Sequence, residues 1–280
     1  MVKIKYSLIL ATLNPDINLL KRFLDSILIQ TEKCFELIIV DQTKPRIDDN
    51  LFEVYKNQLE IKFTTSPKGL SRARNVGVKI AIGEYLLFPD DDCWYDKSFI
   101  SRLNKKIGSL DILTFRAANH NNINIARFDR NKGSCDKYNI WKRVSSISLC
   151  VKRSIYIELG GFDEKLGLGS GTLTSAGEDI EFPLRAMENN ILVIYDPDLV
   201  SRHDIPIERD SKLVIERAKT HMYSVGYLYK KYKYSYIFVS YSLLKNIVGF
   251  GLYILKFNPV MIKYHYYTFF GKVKGFFSHN

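Results

Sequence analysis

The strongest constraint on this chain is the rhythm between residues 6 and 88, where fully apolar runs alternate with stretches of helical spacing. Residues 6–12 are one continuous apolar run. Residues 16–30 then place Ile17, Leu20, Phe23, Leu24, Ile27 and Leu28 at helical intervals. A second run over 35–40 ends at Asp41, and the spacing predicts a helix over 49–57, a strand over 60–65, a helix over 70–82 and a strand over 84–88 closed by Pro89. Apolar runs without polar alternation are strands buried on both faces, which requires a largely parallel sheet covered by helices. Ligands of such sheets gather at the carboxyl ends of the strands. The polar punctuation falls there: Thr12-Leu13-Asn14, Asp41-Gln42 and Asp90-Asp91-Asp92.

The chain is more mixed over 108–150, with a loop at 119–124 and a strand expected at 146–151. A Gly-rich stretch, 160–177, leads into a helix expected over 178–189 and a strand over 191–195. The expected division is an α/β body over 1–210, with a donor-binding half at about 1–95 and an acceptor-binding half at about 96–210, and a helical, aromatic tail over 211–280. Charge separates the two parts. Of 41 Lys and Arg, eleven lie after position 210 against the single acid Glu216, so all but one unit of the net charge of +11 belongs to the tail and the body is nearly neutral. Cys34, Cys93, Cys135 and Cys150 form no C-x-x-C pair, which speaks against a zinc site or disulfide framework and fits a reducing compartment. The basic-then-apolar start is too short for a signal peptide, ends in Asn14-Pro15-Asp16, and reads as a buried first strand.

Four stretches carry chemistry. Asp90-Asp91-Asp92 sets three mutually repelling carboxylates at a strand end, a natural seat for a hard divalent cation that also takes substrate phosphate; the plain alternative is a solvated acidic turn. Gly69-Leu70-Ser71-Arg72-Ala73-Arg74-Asn75 offers a small, polar helix start with two arginines suited to a diphosphate, or simply an exposed helix face. Glu178-Asp179 at a helix start is explained equally by dipole capping or by a general base. His203 gains meaning only beside a metal.

As a set, S-L-I-L-A-T-L-N-P-D, E-L-I-I-V-D-Q, G-L-S-R-A-R-N-V-G, G-E-Y-L-L-F-P-D-D-D, G-G-F-D-E and G-E-D-I-E-F resemble the family 2 glycosyltransferases in order and spacing, over roughly residues 5–205. The resemblance implies a GT-A fold (Rossmann-like, mostly parallel, flanked by helices), here with a basic, aromatic α-helical C-terminal extension, and an inverting transfer from a nucleotide-diphosphate sugar. It places Thr12 and Asp41 at the nucleotide base with Arg72, Arg74 and Asn75 nearby, and Asp91 toward the ribose. It puts Asp90 in the D-x-D element, Asp92 and His203 on Mn²⁺ or Mg²⁺, Asp179 as catalytic base and Glu178 as its neighbour. The family often has two acids after the second strand. This chain has Asp41-Gln42, and Gln42 offers an amide to the base instead.

The tail holds two apolar runs, 236–244 and 247–255, separated by Lys245-Asn246, each shorter than the roughly 20 residues a bilayer span needs. Helices lying in an anionic membrane interface are expected, with a basic subdomain packed on the body as the alternative. With them goes a saccharide acceptor, lipid-linked, in bacterial surface polysaccharide synthesis (O-antigen, capsule or exopolysaccharide), and a cytoplasmic, peripheral location at the inner face of the cell membrane. Two rivals stand beside this. A basic nucleic-acid binder is opposed by the apolar runs and the acidic rim, so no nucleic-acid partner is expected. A sugar-nucleotide pyrophosphorylase would be similar in sheet and metal loop, but the loop over 12–16 lacks its glycines and arginine.

Overall fold

A computed structural model describes residues 3–205 and 212–278. The elements run β1 (Tyr6–Thr12), α1 (Ile17–Leu28), β2 (Phe35–Asp41), α2 (Glu53–Lys56), β3 (Ile61–Thr65), α3 (Leu70–Lys79), β4 (Tyr85–Leu87), β5 (Cys93–Trp94), α4 (Phe99–Ile107), β6 (Ile112–Ala118), β7 (Gly133–Ser134), β8 (Leu149–Lys152), α5 (Arg153–Glu158), α6 (Glu178–Glu188), β9 (Val193–His203), α7 (Lys212–Lys231), α8 (Tyr236–Leu255) and α9 (Pro259–Phe276). Every residue of β1 and β2 is buried, as their unbroken apolar runs require. The expected strand at 146–151 begins as a 3-10 turn and becomes β8 only at Leu149. The one expected at 191–195 continues through a register shift opposite Phe115 and Arg116 to His203.

The sheet order is β3-β2-β1-β4-β8-β6-β9-β5, with β7 also on β9. Strands β1 to β4 are parallel, but β8 runs antiparallel to both β4 and β6, so the second half is mixed rather than parallel. Parallel neighbours need a crossover helix, and the segment between β6 and β8 contains the two-residue β7 and short 3-10 turns but no α-helix. Helix α1 starts on Asp16, whose carboxylate accepts from the Asn18 and Leu19 amides, and buries Leu20, Phe23, Leu24 and Ile27. Helix α3 comes closest to the sheet at Gly77, where a Cβ would lie 2.5 Å from Ile9 and 2.8 Å from Val40. That contact brings the polar start of α3 to the strand ends. Beneath it, the buried Glu36 carboxylate accepts from Ser7 Oγ (2.6 Å) and the Ile82 amide (2.7 Å) and pairs with Lys62 (2.7 Å), fastening β1, β2 and β3.

The chain forms two compact units: Met1–Asp163 with Glu178–Ile205, and Glu164–Gly177 with Pro206–Asn280. The division expected at 210 falls outside the described residues, and the segment Glu164–Gly177, expected in the body, belongs with the helices. There Ser175 Oγ donates to the Thr220 carbonyl (2.8 Å) and the Ala176 amide to Ser224 Oγ (3.2 Å). Helices α7 and α9 meet backbone to backbone, since a Cβ on Gly226 would lie 2.0 Å from the Lys272 carbonyl oxygen and one on Gly275 2.0 Å from that of Tyr223. The two apolar runs expected as separate pieces form one 20-residue helix, α8, long and apolar enough by length and composition to cross a membrane. All four cysteines are free thiols.

Candidate active site

The sheet unit gathers its acids around one cation. Arg74, on the second turn of α3, is fully buried beside the adjoining rings of Phe88 (6.0 Å) and Phe162 (5.7 Å). One end of its guanidinium pairs with Asp90 (2.9 Å) and the other with Glu178 (3.2 Å), while its Nε meets no acceptor. Residues from β4's exit, α3 and the start of α6 are thereby joined, although Asp90 and Glu178 lie 16 and 104 positions from Arg74. Burial still pushes both carboxyls above their ordinary range, with Arg74 opposing it.

Asp179 follows on the first turn of α6, where the helix dipole favours a negative charge. Its carboxylate accepts from the Ile180 amide (3.0 Å). Burial first, then the neighbouring Glu178, push its pKa up to about 7. That value is poised for accepting a proton near neutral pH. The two residues differ in their partners: Glu178 is committed to Arg74, and Asp179 has no side-chain partner among the described residues.

On the acidic loop, Asp91 accepts a short hydrogen bond from Thr12 Oγ1. Burial, and the charges of Asp90 and Asp92, push its carboxyl up to about 6 against that bond. Asp92 differs. The pairing Cys93↔His203 between β5 and β9 sets its carboxylate 3.1 Å from His203 Nε2. Burial acts against ionisation of Asp92, but His203 outweighs it and holds the acid below its usual range, while His203 is itself raised. No three His, Cys, Asp or Glu side chains converge as a metal cage among the described residues. The donor set nonetheless fits Mg²⁺ or Mn²⁺, which take one or two protein ligands together with substrate phosphates. His203 Nδ1–H donates to the Asp204 carbonyl (2.5 Å), so a ring that loses its other proton would free Nε2, the atom that here pairs with Asp92, as a metal ligand.

The expected base-binding residues form a hinge of three loops. Asp41 accepts from the Thr43 (2.8 Å) and Ile47 (3.0 Å) amides and shapes the turn after β2. Gln42 accepts from the Gly69 amide (2.8 Å) and donates through Nε2 to the Thr12 carbonyl (3.3 Å). Arg72 is half-buried on α3. Asn75 is drawn away from the rim: its amide donates to the Phe162 carbonyl (2.9 Å) and accepts from Tyr156 OH (2.6 Å) and the Phe162 amide (2.9 Å). Its role is to hold the turn at Gly161, where φ is +74° and a Cβ would lie 2.7 Å from its Oδ1.

Sequence reasoning missed Arg22. From α1 it stacks on Trp94 (4.1 Å), donates to the Asp92 carbonyl (2.6 Å) and pairs with Asp204 (2.7 Å), clamping both sides of the Asp92–His203 pair. Its only signal was a cation one residue before the buried Phe23 on an otherwise ordinary amphipathic helix.

Comparison with known proteins bears on the family and the fold. The family model described as glycosyl transferase family 2 matches residues 7–145. A Rickettsia felis protein described as an uncharacterized glycosyltransferase is 38% identical over 93 residues, 32% of this chain and 15% of that protein. Glycosyltransferase GlyA of Streptococcus pneumoniae serotype 4 is 30% identical over 92 residues, 32% of this chain and 13% of its own length. The matches thus span a small part of those relatives. Among solved structures, S. aureus TarS superposes with TM-score 0.62 at 16% identity, covering 97% of this chain and 55% of TarS; its residues 1–349 have been solved with UDP-GlcNAc (TM-score 0.55, 16% identity, 97% and 91% covered). The mannosyltransferase PcManGT from Pyrobaculum calidifontis, solved with GDP-Man and Mn²⁺, gives 0.57 at 17% identity, covering 98% and 74%.

Proposed function

We propose, since this chain belongs to glycosyl transferase family 2 and carries that family's GT-A fold, that it transfers a hexosyl group with inversion from a nucleoside-diphosphate sugar to a saccharide hydroxyl. The acceptor is lipid-linked, and the setting is bacterial surface polysaccharide assembly at the inner face of the cell membrane. Support for a nucleotide-sugar donor comes from the ligands named for the TarS and PcManGT structures, and support for a divalent cation from the Mn²⁺ of PcManGT. Bacterial relatives and the basic, apolar helices support the setting.

The observation that carries the mechanism is the buried Arg74, which binds the acidic loop and the start of α6 into one piece. It leaves Asp179 ionisable near neutral pH, to take the proton of the attacking hydroxyl at its carboxylate. Attack from the face opposite the leaving diphosphate gives inversion. Thr12, Asp41, Gln42 and Arg72 border the donor nucleotide. Asp91, already bonded to Thr12, is assigned to a ribose hydroxyl of the donor. Asp92 and His203 would hold Mg²⁺ or Mn²⁺, which as a Lewis acid neutralises charge on the departing diphosphate.

Asp179→Asn is the direct test. Turnover is expected to fall about a hundred- to ten-thousandfold, with donor-nucleotide affinity retained in a thermal-shift panel of nucleoside diphosphates with Mn²⁺ and Mg²⁺. An equal loss of nucleotide affinity would reduce Asp179 to a helix cap, and no metal-linked affinity for any nucleotide in the parent would remove the reading altogether.

A further inference from the structure

Helix α8 has its polarity turned inside out. Its covered side carries Val239, but also Ser242, Asn246 and Gly249. Asn246 Nδ2 donates to the Ser242 carbonyl (2.8 Å), and from α9 Lys272 Nζ donates to Ser242 Oγ (2.9 Å). Burial, and then Lys245, push the Lys272 ammonium down to about 8. The open side carries Ile237, Tyr241, Leu244, Val248, Leu252 and Leu255, each 51–84% exposed. A helix that faces water has the reverse arrangement, and this much contiguous apolar surface marks a contact with something apolar.

The lysines define what that something is. Lys245 and Lys256 are eleven residues apart, close to three full turns, so they share one flank of α8 beside the apolar row rather than within it. Lys245 folds over Tyr241 (4.1 Å) and Lys256 lies near Tyr253 (5.7 Å), so each carries an aromatic ring beneath its charge. Eleven basic residues against one acid after position 210 give the surrounding surface a single sign. A second copy of this chain would bring two such surfaces together, so charge disfavours it. An anionic lipid surface complements both the apolar row and the cations. Crossing the bilayer is disfavoured as well: mid-helix Lys245 would then carry its charge near the bilayer centre, where no water solvates it. The α9 helix packed along α8 would also have to carry Lys263, His265, Lys272 and Lys274 in beside it.

We infer that the open face of α8 lies in the surface of an anionic bilayer, its axis in the membrane plane, with Leu244 and Val248 among the acyl chains and Lys245 and Lys256 at the headgroups. This deepens the lipid-linked acceptor reading and rests on it only for its purpose. The docking itself does not depend on the chemistry of the sheet unit.

The test uses the full chain and sedimentation with vesicles of phosphatidylcholine alone or mixed with phosphatidylglycerol. The parent is expected to pellet with the mixed vesicles and far less with the neutral ones. The double variant Leu244→Asp, Val248→Asp should lose most of that binding, and Lys245→Glu, Lys256→Glu should lower affinity for the anionic vesicles on the order of tenfold or more. Circular dichroism of each variant should match the parent, because the altered side chains are exposed. Equal pelleting by parent and apolar variant overturns the inference. So does a parent that ignores vesicles and forms a dimer which the apolar variant dissociates. Failure of nucleotide binding with vesicle binding intact would strike the transferase reading and leave this one standing.

Discussion

The two units misplace opposite things. The sheet unit buries charge: a guanidinium with no exposure stands among carboxyls that burial drives upward. The helical unit exposes grease, with the row on α8 open to solvent while an amide and an ammonium are covered. Each departure costs stability in isolation. On the readings proposed above, the difference separates two kinds of partner: charge stored inside a strand-end site would take a small charged ligand, and apolar surface on a helix an extended apolar phase.

The comparison breaks first at Arg74. Arg74→Met leaves Asp90 and Glu178 without their buried counter-charge, and urea melts near neutral pH are expected to lose about 3–5 kcal/mol. The loss should shrink as acid protonates both partners. A smaller, uniform loss would mean that the network is solvated. Next comes Asp179→Asn, with the opposite sign. The folded-state pKa of Asp179, about 7, lies above its ordinary value, so its cost is absent at low pH and grows as pH rises through that interval. The variant should therefore be more stable than the parent by about 2–4 kcal/mol near pH 8 and nearly equal near pH 4. The same titration predicts a parent rate that rises with pH through about 7.

His203→Ala is expected to weaken Mn²⁺-dependent nucleotide affinity about tenfold, or about 1.4 kcal/mol, while metal-independent affinity stays put. Isothermal titration with and without the cation measures both. The smallest effect sharpens the other side of the contrast. Val248→Asp, so disruptive at a covered position, should change stability in detergent-free buffer by no more than about 0.5 kcal/mol. A large loss in thermal melts would mean that this face is covered within the protein itself.

Much of this architecture is legible residue by residue. The runs of β1 and β2 contain no polar alternation because no face of them meets water, and both strands follow from that. Asp41, the acidic trio and the Glu178-Asp179 pair fall at strand or helix ends that the pattern already marks. The motif singles out Arg74 but not its burial, since arginine at a polar helix start normally reaches solvent and its two partners come from distant parts of the chain. Asn75 carries the same surface signature as Arg72, yet the turn at Gly161 claims its amide. Strand β6 stayed hidden in a mixed stretch, and β9 outran its apolar run because the shift opposite Phe115 and Arg116 absorbs Pro197, Asp198 and Leu199. Lys245-Asn246 looked like a break in the tail. On a helix, adjacent residues point in different directions, so one turns to the flank and the other inward.

The departure at Gln42 has a consequence for how this site tolerates change. Its side chain must receive a proton donor at one atom and offer one at another, because the Gly69 amide and the Thr12 carbonyl are fixed partners of opposite kind. Only one orientation of an amide satisfies both, and a carboxylate satisfies one while repelling the other. An acid at position 42 would therefore loosen the three loops. Any change of nucleotide preference has to be sought at neighbouring positions, since this one is occupied with keeping the walls together.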